Sequence, residues 1–322
     1  MEAQIKFVGI DVSKARLDVA VWPGAESFST DNDERGIAQL VQRVVRLSPQ
    51  AVVLEATGGL ELVAASELVA AELKVAVVNP RQVREFARSL GRLAKTDRLD
   101  ALVLAQFAQS AESNGRLTTM RLLDQAQTEL KALVARRRQL MQMLVAETNR
   151  RERAPKFIRK SIVQSIKGLK RAIEVVGKQI AEAIANSPEQ QAKAKLLRQV
   201  PGVGPELTAE LLCNLPELGE LGRRKIASLV GVAPHADESG AFQGRRMIWG
   251  GRAQVRTKLY MASLSAVRFN PLLRAHYQAL LERGKARKLA LIACMRKLLL
   301  ILNAMLRDQQ PWRLPLAFQH SR

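Results

Sequence analysis

Short apolar runs of strand length fill the first eighty residues, and helical patterns fall between the later ones. That order limits the region to a mixed α/β sheet. Residues 5–11 (IKFVGID) and 17–22 (LDVAVW) flank a short turn around Ser13, Lys14 and Ala15 and read as a hairpin. A third strand is expected over 26–30, and Asp31 or Asn32 would cap a helix running toward Arg46. The strand AVVLEATGG, the helix LELVAASELVAAEL, the strand KVAVVNP and the helix RQVREFARSLG follow. Asn79-Pro80 punctuates the exit from the fifth strand. Three antiparallel strands followed by alternating strands and helices make a single mixed sheet.

Four acids mark the ends of these elements. Asp11 ends the first apolar run and Glu55 the fourth. Asp97 and Asp100 sit three apart in KTDRLDALVLAQFA, which reads as a helix, so both share one helix face. Two strand ends and one helix can gather four carboxylates, which repel one another unless a cation neutralises them. Oxygen-only donors suit Mg²⁺ or Mn²⁺, and two such ions roughly 3.5–4 Å apart clamp a phosphodiester during in-line displacement. Asp18, in the second strand, is read as a solvent-facing strand residue.

The chain of 322 residues is long enough for two or three domains, and its 47% hydrophobic content makes it globular. Its formal charge is +21, which points to a polyanionic partner. The charge is unevenly placed. Residues 1–120 carry 14 Lys and Arg against 15 Asp and Glu, while residues 121–322 carry 37 against 15. The basic excess therefore lies wholly behind the acidic region, spread over several elements, unlike a single membrane anchor. Cys213 and Cys294 lie in apolar helical contexts and read as packed thiols, which fits a reducing cytoplasm. The opening runs directly into a strand pattern, so no signal peptide is expected, and no apolar stretch is read as reaching the ~20 residues of a membrane span.

From residue 121 the pattern becomes helical. Leu123, Ala126, Leu130, Leu133, Leu140 and Leu144 follow three-four steps, with Arg137 interrupting one core position. After Pro155 the pattern resumes with Ile162, Ile166, Leu169, Ile173, Val176, Ile180 and Ala183. A coiled-coil domain over 121–190, arranged as an antiparallel hairpin, is the simplest reading; it packs on itself or on a second subunit. Its tip carries Arg150, Arg151, Arg153, Lys156, Arg159 and Lys160, a solvated face or an arm tracking a nucleic-acid backbone.

Residues 191–322 read as a third, mostly α domain. LLRQVPGVGPELTAELL resembles a helix-hairpin-helix, in which Gly202 and Gly204 would let the backbone approach a phosphate. A long Gly-punctuated basic loop follows, with Ser239 before Gly240 and with Arg245, Arg246, Arg252 and Arg256 after it. By itself a Ser-Gly in a loop reads as a turn.

The strand-helix order with its acids resembles the RNase H-like fold of Holliday-junction resolvases. The whole chain resembles the DEDD transposases of bacterial insertion sequences, the bridge-RNA-guided recombinases related to pilin-gene invertases. GIDVSK, LEATGG and KTDRLDA match that family's carboxylate positions as Asp11, Glu55, Asp97 and Asp100. PGVG, GVAP and the Ser-Gly followed by Gly and Arg match its C-terminal pattern. The resemblance implies a RuvC-like metal-binding catalytic domain over 1–120 and a transposase domain over 191–322. It implies that Ser239 is a nucleophile forming a covalent link to DNA, that Mg²⁺ or Mn²⁺ is held by the four acids, and that Arg245 and Arg252 neutralise phosphate. His235 is a candidate base, and Trp249 stands where many relatives are more basic. Implied partners are donor and target DNA, a non-coding guide RNA, and further copies of the chain as dimers pairing into tetramers, with no membrane and a cytoplasmic setting. Two other readings compete: a junction-resolvase-like nuclease using metal and water, and a non-catalytic basic organiser of nucleic acid.

Overall fold

The computed structural model describes residues 5–91, 97–115, 117–120, 124–234, 238–239, 242–243, 248 and 250–314; of residues 97–99, 238–239 and 242–243 it describes the backbone only. The chain divides into two compact units, residues 1–123 and 124–322.

In the first unit five strands form one sheet in the order β3-β2-β1-β4-β5: β1 (Phe7–Val12), β2 (Arg16–Trp22), β3 (Ser27–Asp31), β4 (Ala51–Glu55) and β5 (Val75–Val78). β1, β2 and β3 are antiparallel neighbours, and β4 and β5 run parallel to β1. The strands obey a period of two, so each sends alternate residues to opposite faces. Val8, Ile10, Val12, Leu17, Val19, Val52 and Leu54 bury one face beneath α1 (Glu34–Leu47) and α2 (Leu62–Ala70). Phe7, Ala51, Val53, Ala76 and Val78 face the other way, toward α3 (Pro80–Ser89) and α4 (Asp97–Ser113), through Val83, Val103, Leu104 and Ala108. Phe86 and Phe107 meet edge to face, with ring centroids 5.5 Å apart, and join α3 to α4.

One boundary differs from expectation. The cap of α1 is Asp33, whose carboxylate accepts from the Gly36 N–H at 2.7 Å, not Asp31 or Asn32. Asp31 is still part of β3, and Asn32 is committed to the β1–β2 turn through Ser13 and Ala15.

The second unit opens with two long helices, α5 (Gln125–Arg153) and α6 (Lys156–Asn186), joined only by Ala154 and Pro155. So short a connection folds them back on each other. Leu130, Val134 and Leu140 of α5 pack with Val176, Ile180 and Ile184 of α6, and the same cluster takes in Ala194 and Ala209 of the next two helices. The base of the hairpin thus shares its core with α7 (Pro188–Leu197) and α8 (Pro205–Asn214). Arg137, the interruption in the α5 seam, has a partner there: it pairs with Glu206 of α8 at 2.6 Å, and Lys258 holds the other oxygen at 2.7 Å.

Burial pushes the Glu206 carboxyl up, but the hydrogen bonds from Arg137 and Lys258 outweigh it and hold the group at about 2. A depressed acid contributes stability that is complete above its ordinary value of 4.5 and is lost as the pH falls toward about 2. Urea titrations at stepped pH are therefore expected to show the wild type losing stability over that window. Glu206→Gln should lose less there, and an unchanged acid limb would show that the pair contributes nothing.

The rest of the unit is α9 (Arg223–Val230), a two-residue ribbon of β6 (Glu238–Ser239) and β7 (Phe242–Gln243), α10 (Ala253–Phe269), α11 (Pro271–Glu282) and α12 (Arg287–Asp308). Against expectation, α12 is long and apolar enough by composition to cross a membrane. It is instead the core helix of this unit: Met295, Leu298, Leu299 and Leu302 are buried against Leu207, Ile226 and Leu259. Cys213 and Cys294 are free, and burial pushes their thiols up to about 12 and about 11, as packed and unreactive groups.

Candidate active site

The register of the sheet decides where the acids lie. Phe7, Gly9 and Asp11 occupy one face of β1, and Ile10 pairs with Leu54 in the parallel ladder to β4. The next step along that ladder sets Asp11 beside Glu55, both at the carboxyl ends of their strands and both on the face covered by α4.

Gly9 brings α4 to them. A Cβ on Gly9 would lie 2.2 Å from the Ala101 carbonyl oxygen and 2.3 Å from the Ala105 nitrogen, so helix backbone rests directly on strand backbone. The direction of α4 follows from its far end. Trp22, which pairs with Phe7, donates its indole N–H to Gln109 at 2.7 Å, and Lys74 at the start of β5 pairs with Glu112. The C-terminal half of α4 therefore lies at the beginning of β1, and its first turn, with Asp97 and Asp100, lies toward Asp11. Asp100 immediately precedes Ala101 and is partly exposed. Asp97 opens the helix, but its side chain lies outside the described residues. Among the described residues, no group of three or more His, Cys, Asp or Glu side chains is gathered closely enough to hold a metal ion.

Two acids near this row were missed or undervalued in the sequence. Asp18 is not simply solvent-facing. It pairs with Asp11 across the antiparallel ladder, its side chain is only 14% exposed, and it accepts from Arg16 Nε at 2.9 Å and Ser29 Oγ at 2.7 Å. The pairing was readable only once the hairpin register was known. Glu61 is 5% exposed, and its Oε2 accepts from the Thr57 N–H at 3.0 Å, the Thr57 hydroxyl at 3.1 Å and the Gly59 N–H at 2.9 Å. It thereby fixes the loop that leaves β4 directly after Glu55. Its signal was a Thr-Gly-Gly turn followed closely by a carboxylate, a local Asx-like pattern that also serves many ordinary turns.

In the second unit the residues expected to meet nucleic acid divide into two groups. Ser239 lies on β6 and pairs with Phe242 of β7. Arg245, Arg246, His235 and Trp249 lie outside the described residues. Arg252, expected to neutralise phosphate, is instead bound to both carboxylate oxygens of Glu217 and to the Asn214 carbonyl. Arg256 is likewise turned inward, donating to the carbonyls of Val230 and Gly250. Beside them the chain closes on itself: a Cβ on Gly251 would lie 2.4 Å from the Gly231 nitrogen, and the Arg252 N–H donates to Leu229 at 2.9 Å. These contacts form a clasp across the two ends of the segment that carries Ser239.

Gly202 has a packing reason to be glycine as well. A Cβ there would lie 2.6 Å from Ala266, so that side of the glycine packs against α10. Gly204 has open space around it and begins α8 without a side-chain cap. At the hairpin tip, Arg150, Arg151 and Arg153 are exposed, with Arg150 paired to Glu147.

Comparison with known proteins agrees on both units. Residues 8–154 match the model of the DEDD transposases of the IS110 type, and residues 194–278 match the model described as the transposase IS116/IS110/IS902 family. The pilin gene-inverting proteins of Moraxella lacunata and Moraxella bovis are each 27% identical over 320 residues, covering 95% of this chain and 97% of theirs.

Proposed function

We infer from these matches that the chain is a DNA-recombining transposase of the IS116/IS110/IS902 family, and we propose that it cuts and rejoins DNA at the carboxylate row of its RNase H-like unit. The observation that carries this reading is the register that sets Asp11 beside Glu55 under the first turn of α4. Asp11, Glu55, Asp97 and Asp100 offer oxygen donors only, a set that fits a hard divalent cation, Mg²⁺ or Mn²⁺. Such an ion supplies charge neutralisation at the scissile phosphate. The protein's own contribution is to hold the acids apart on three separate elements and to keep the strand ends rigid through Glu61 and the Asp18 contacts.

The finer part of the proposal concerns Ser239. Its hydroxyl oxygen would form the new bond to phosphorus while one strand oxygen leaves, taking the proton. The phosphodiester bond is then kept as a phosphoserine link that the second strand can reopen. The family's naming residues are carboxylates, which by themselves support hydrolysis by water, so the serine step needs its own test. Trapping a DNA complex and mapping the adduct by mass spectrometry is expected to find DNA on Ser239. Ser239→Ala is expected to bind DNA, form no adduct and yield no recombinant. Cleavage by Ser239→Ala with free ends released would favour water as the nucleophile and the resolvase-like reading.

Substrate choice completes the proposal. The relatives invert a pilin gene, so this chain is proposed to act on paired donor and target DNA, as dimers pairing into tetramers, with a guide RNA choosing the sites. The uneven charge supports it, because the surplus of Lys and Arg lies entirely behind residue 120. Gly204, Arg245, Arg246 and the hairpin tip remain proposed backbone contacts, while Arg252 and Arg256 are assigned to the clasp.

A further inference from the structure

The end of the α5–α6 hairpin is built unlike a surface that merely follows phosphates. Among residues 150–160, six are Lys or Arg and one is Glu. Phe157 stands among them 85% exposed, and Ile158 is 41% exposed. A single exposed apolar residue needs no explanation. Here, however, the next residue along the helix, Ile158, lines an open concavity of about 370 Å³ together with Asn149, Arg150, Arg153, Ala154 and Ile162. Ile158 and Ile162 are one turn apart on α6 and form an apolar wall, and Arg150 and Arg153 of α5 line the same hollow. The turn is held in shape by Arg159, whose Nε donates to the Ala154 carbonyl at 2.8 Å.

We propose that this tip is a seat for unpaired bases of a nucleic acid. The inference rests on the reading of the chain as a nucleic-acid enzyme and names what the hairpin end takes. A ring face and an apolar wall give nothing to a duplex, whose bases are stacked inward and which presents mainly phosphates at its surface. They match a splayed base, which stacks on an aromatic ring while cationic side chains hold its phosphates. A second copy of the tip is a poor occupant, because its surplus of positive charge would face the same surplus.

The test uses the full-length protein with two fluorescent probes, single-stranded oligothymidylate and a blunt DNA duplex of equal length. Phe157→Ala is expected to weaken single-strand binding about tenfold, the loss that follows from removing one base-stacking ring, and to leave duplex binding unchanged. Phe157→Trp should restore single-strand binding, and its added emission should be quenched by the single strand and not by the duplex. Unchanged single-strand affinity in Phe157→Ala would overturn the seat. Equal loss on both probes would reduce the tip to a backbone contact, and a drop in oligomer size would make it a subunit contact; either result also overturns it. Failure here is separable from failure of the function itself. A wild type that recombines DNA while Phe157→Ala keeps its single-strand affinity loses only the seat, whereas a wild type that binds neither probe loses both.

Discussion

Asp11→Asn is expected to lower strand cleavage by more than about 10³-fold, the scale on which preorganised charge at a reacting phosphate acts. The substitution keeps size and shape, so the sheet should be undisturbed. Its effect on stability separates the carboxylate reading from a purely structural one. Asp11 lies between Asp18 and Glu55 in one row across the sheet. With Mg²⁺ or Mn²⁺ added, the wild type should gain stability by mass action, and the variant should gain little. A variant that cleaves normally, or a wild type indifferent to either ion, would remove Asp11 from the site.

Gly9→Val should have the largest structural effect of any single change in the first unit. Two opposing terms are involved. Valine is the better strand former, a preference of at most about 1 kcal/mol. Against it stands overpacking: the first side-chain atom alone would lie 2.2 Å from the Ala101 oxygen and 2.3 Å from the Ala105 nitrogen. Both obstacles are backbone, which cannot rotate aside, so α4 must lift from the sheet. A loss of about 3 kcal/mol or more is expected. Cleavage should disappear with it, because α4 carries two of the four acids. Urea unfolding followed by tryptophan emission would register the change, since Trp22 is bonded to Gln109 of the same helix. A variant of normal stability would mean that α4 does not rest on β1 in this way.

These two residues show what was legible in the chain and what was not. β1, β2, β4 and β5 were readable because each is a short apolar run, buried on both faces of the sheet, that ends on a turn or an acid. Asp11, Glu55, Asp97 and Asp100 could be singled out because strand ends and a helical i,i+3 spacing are local properties. Asp18 was misjudged, since a side chain's neighbours across a sheet depend on register, which no single strand specifies. The protein partners of Arg252 and Arg256 were hidden for a related reason. A basic residue in a Gly-rich loop looks the same whether it meets phosphate or Glu217, and only the fold brings residues 214–217 to Arg252. Gly202 was likewise read from its turn, while its need to be glycine comes from Ala266, more than sixty residues away. The cap of α1 lies one or two residues beyond expectation because Asp31, Asn32 and Asp33 are equivalent in propensity and differ only in what the hairpin has already engaged.

The clasp between Gly231 and Gly251 has a geometric consequence for the serine. Eight peptide units lead from Gly231 to Ser239, and a fully stretched chain covers at most about 3.4 Å per residue, so Ser239 is confined to a sphere of roughly 27 Å around the clasp. Twelve more units return it to Gly251, so both ends of the stretch that carries Ser239 meet at one point. Under the serine step proposed above, the phosphate must therefore be delivered inside that radius.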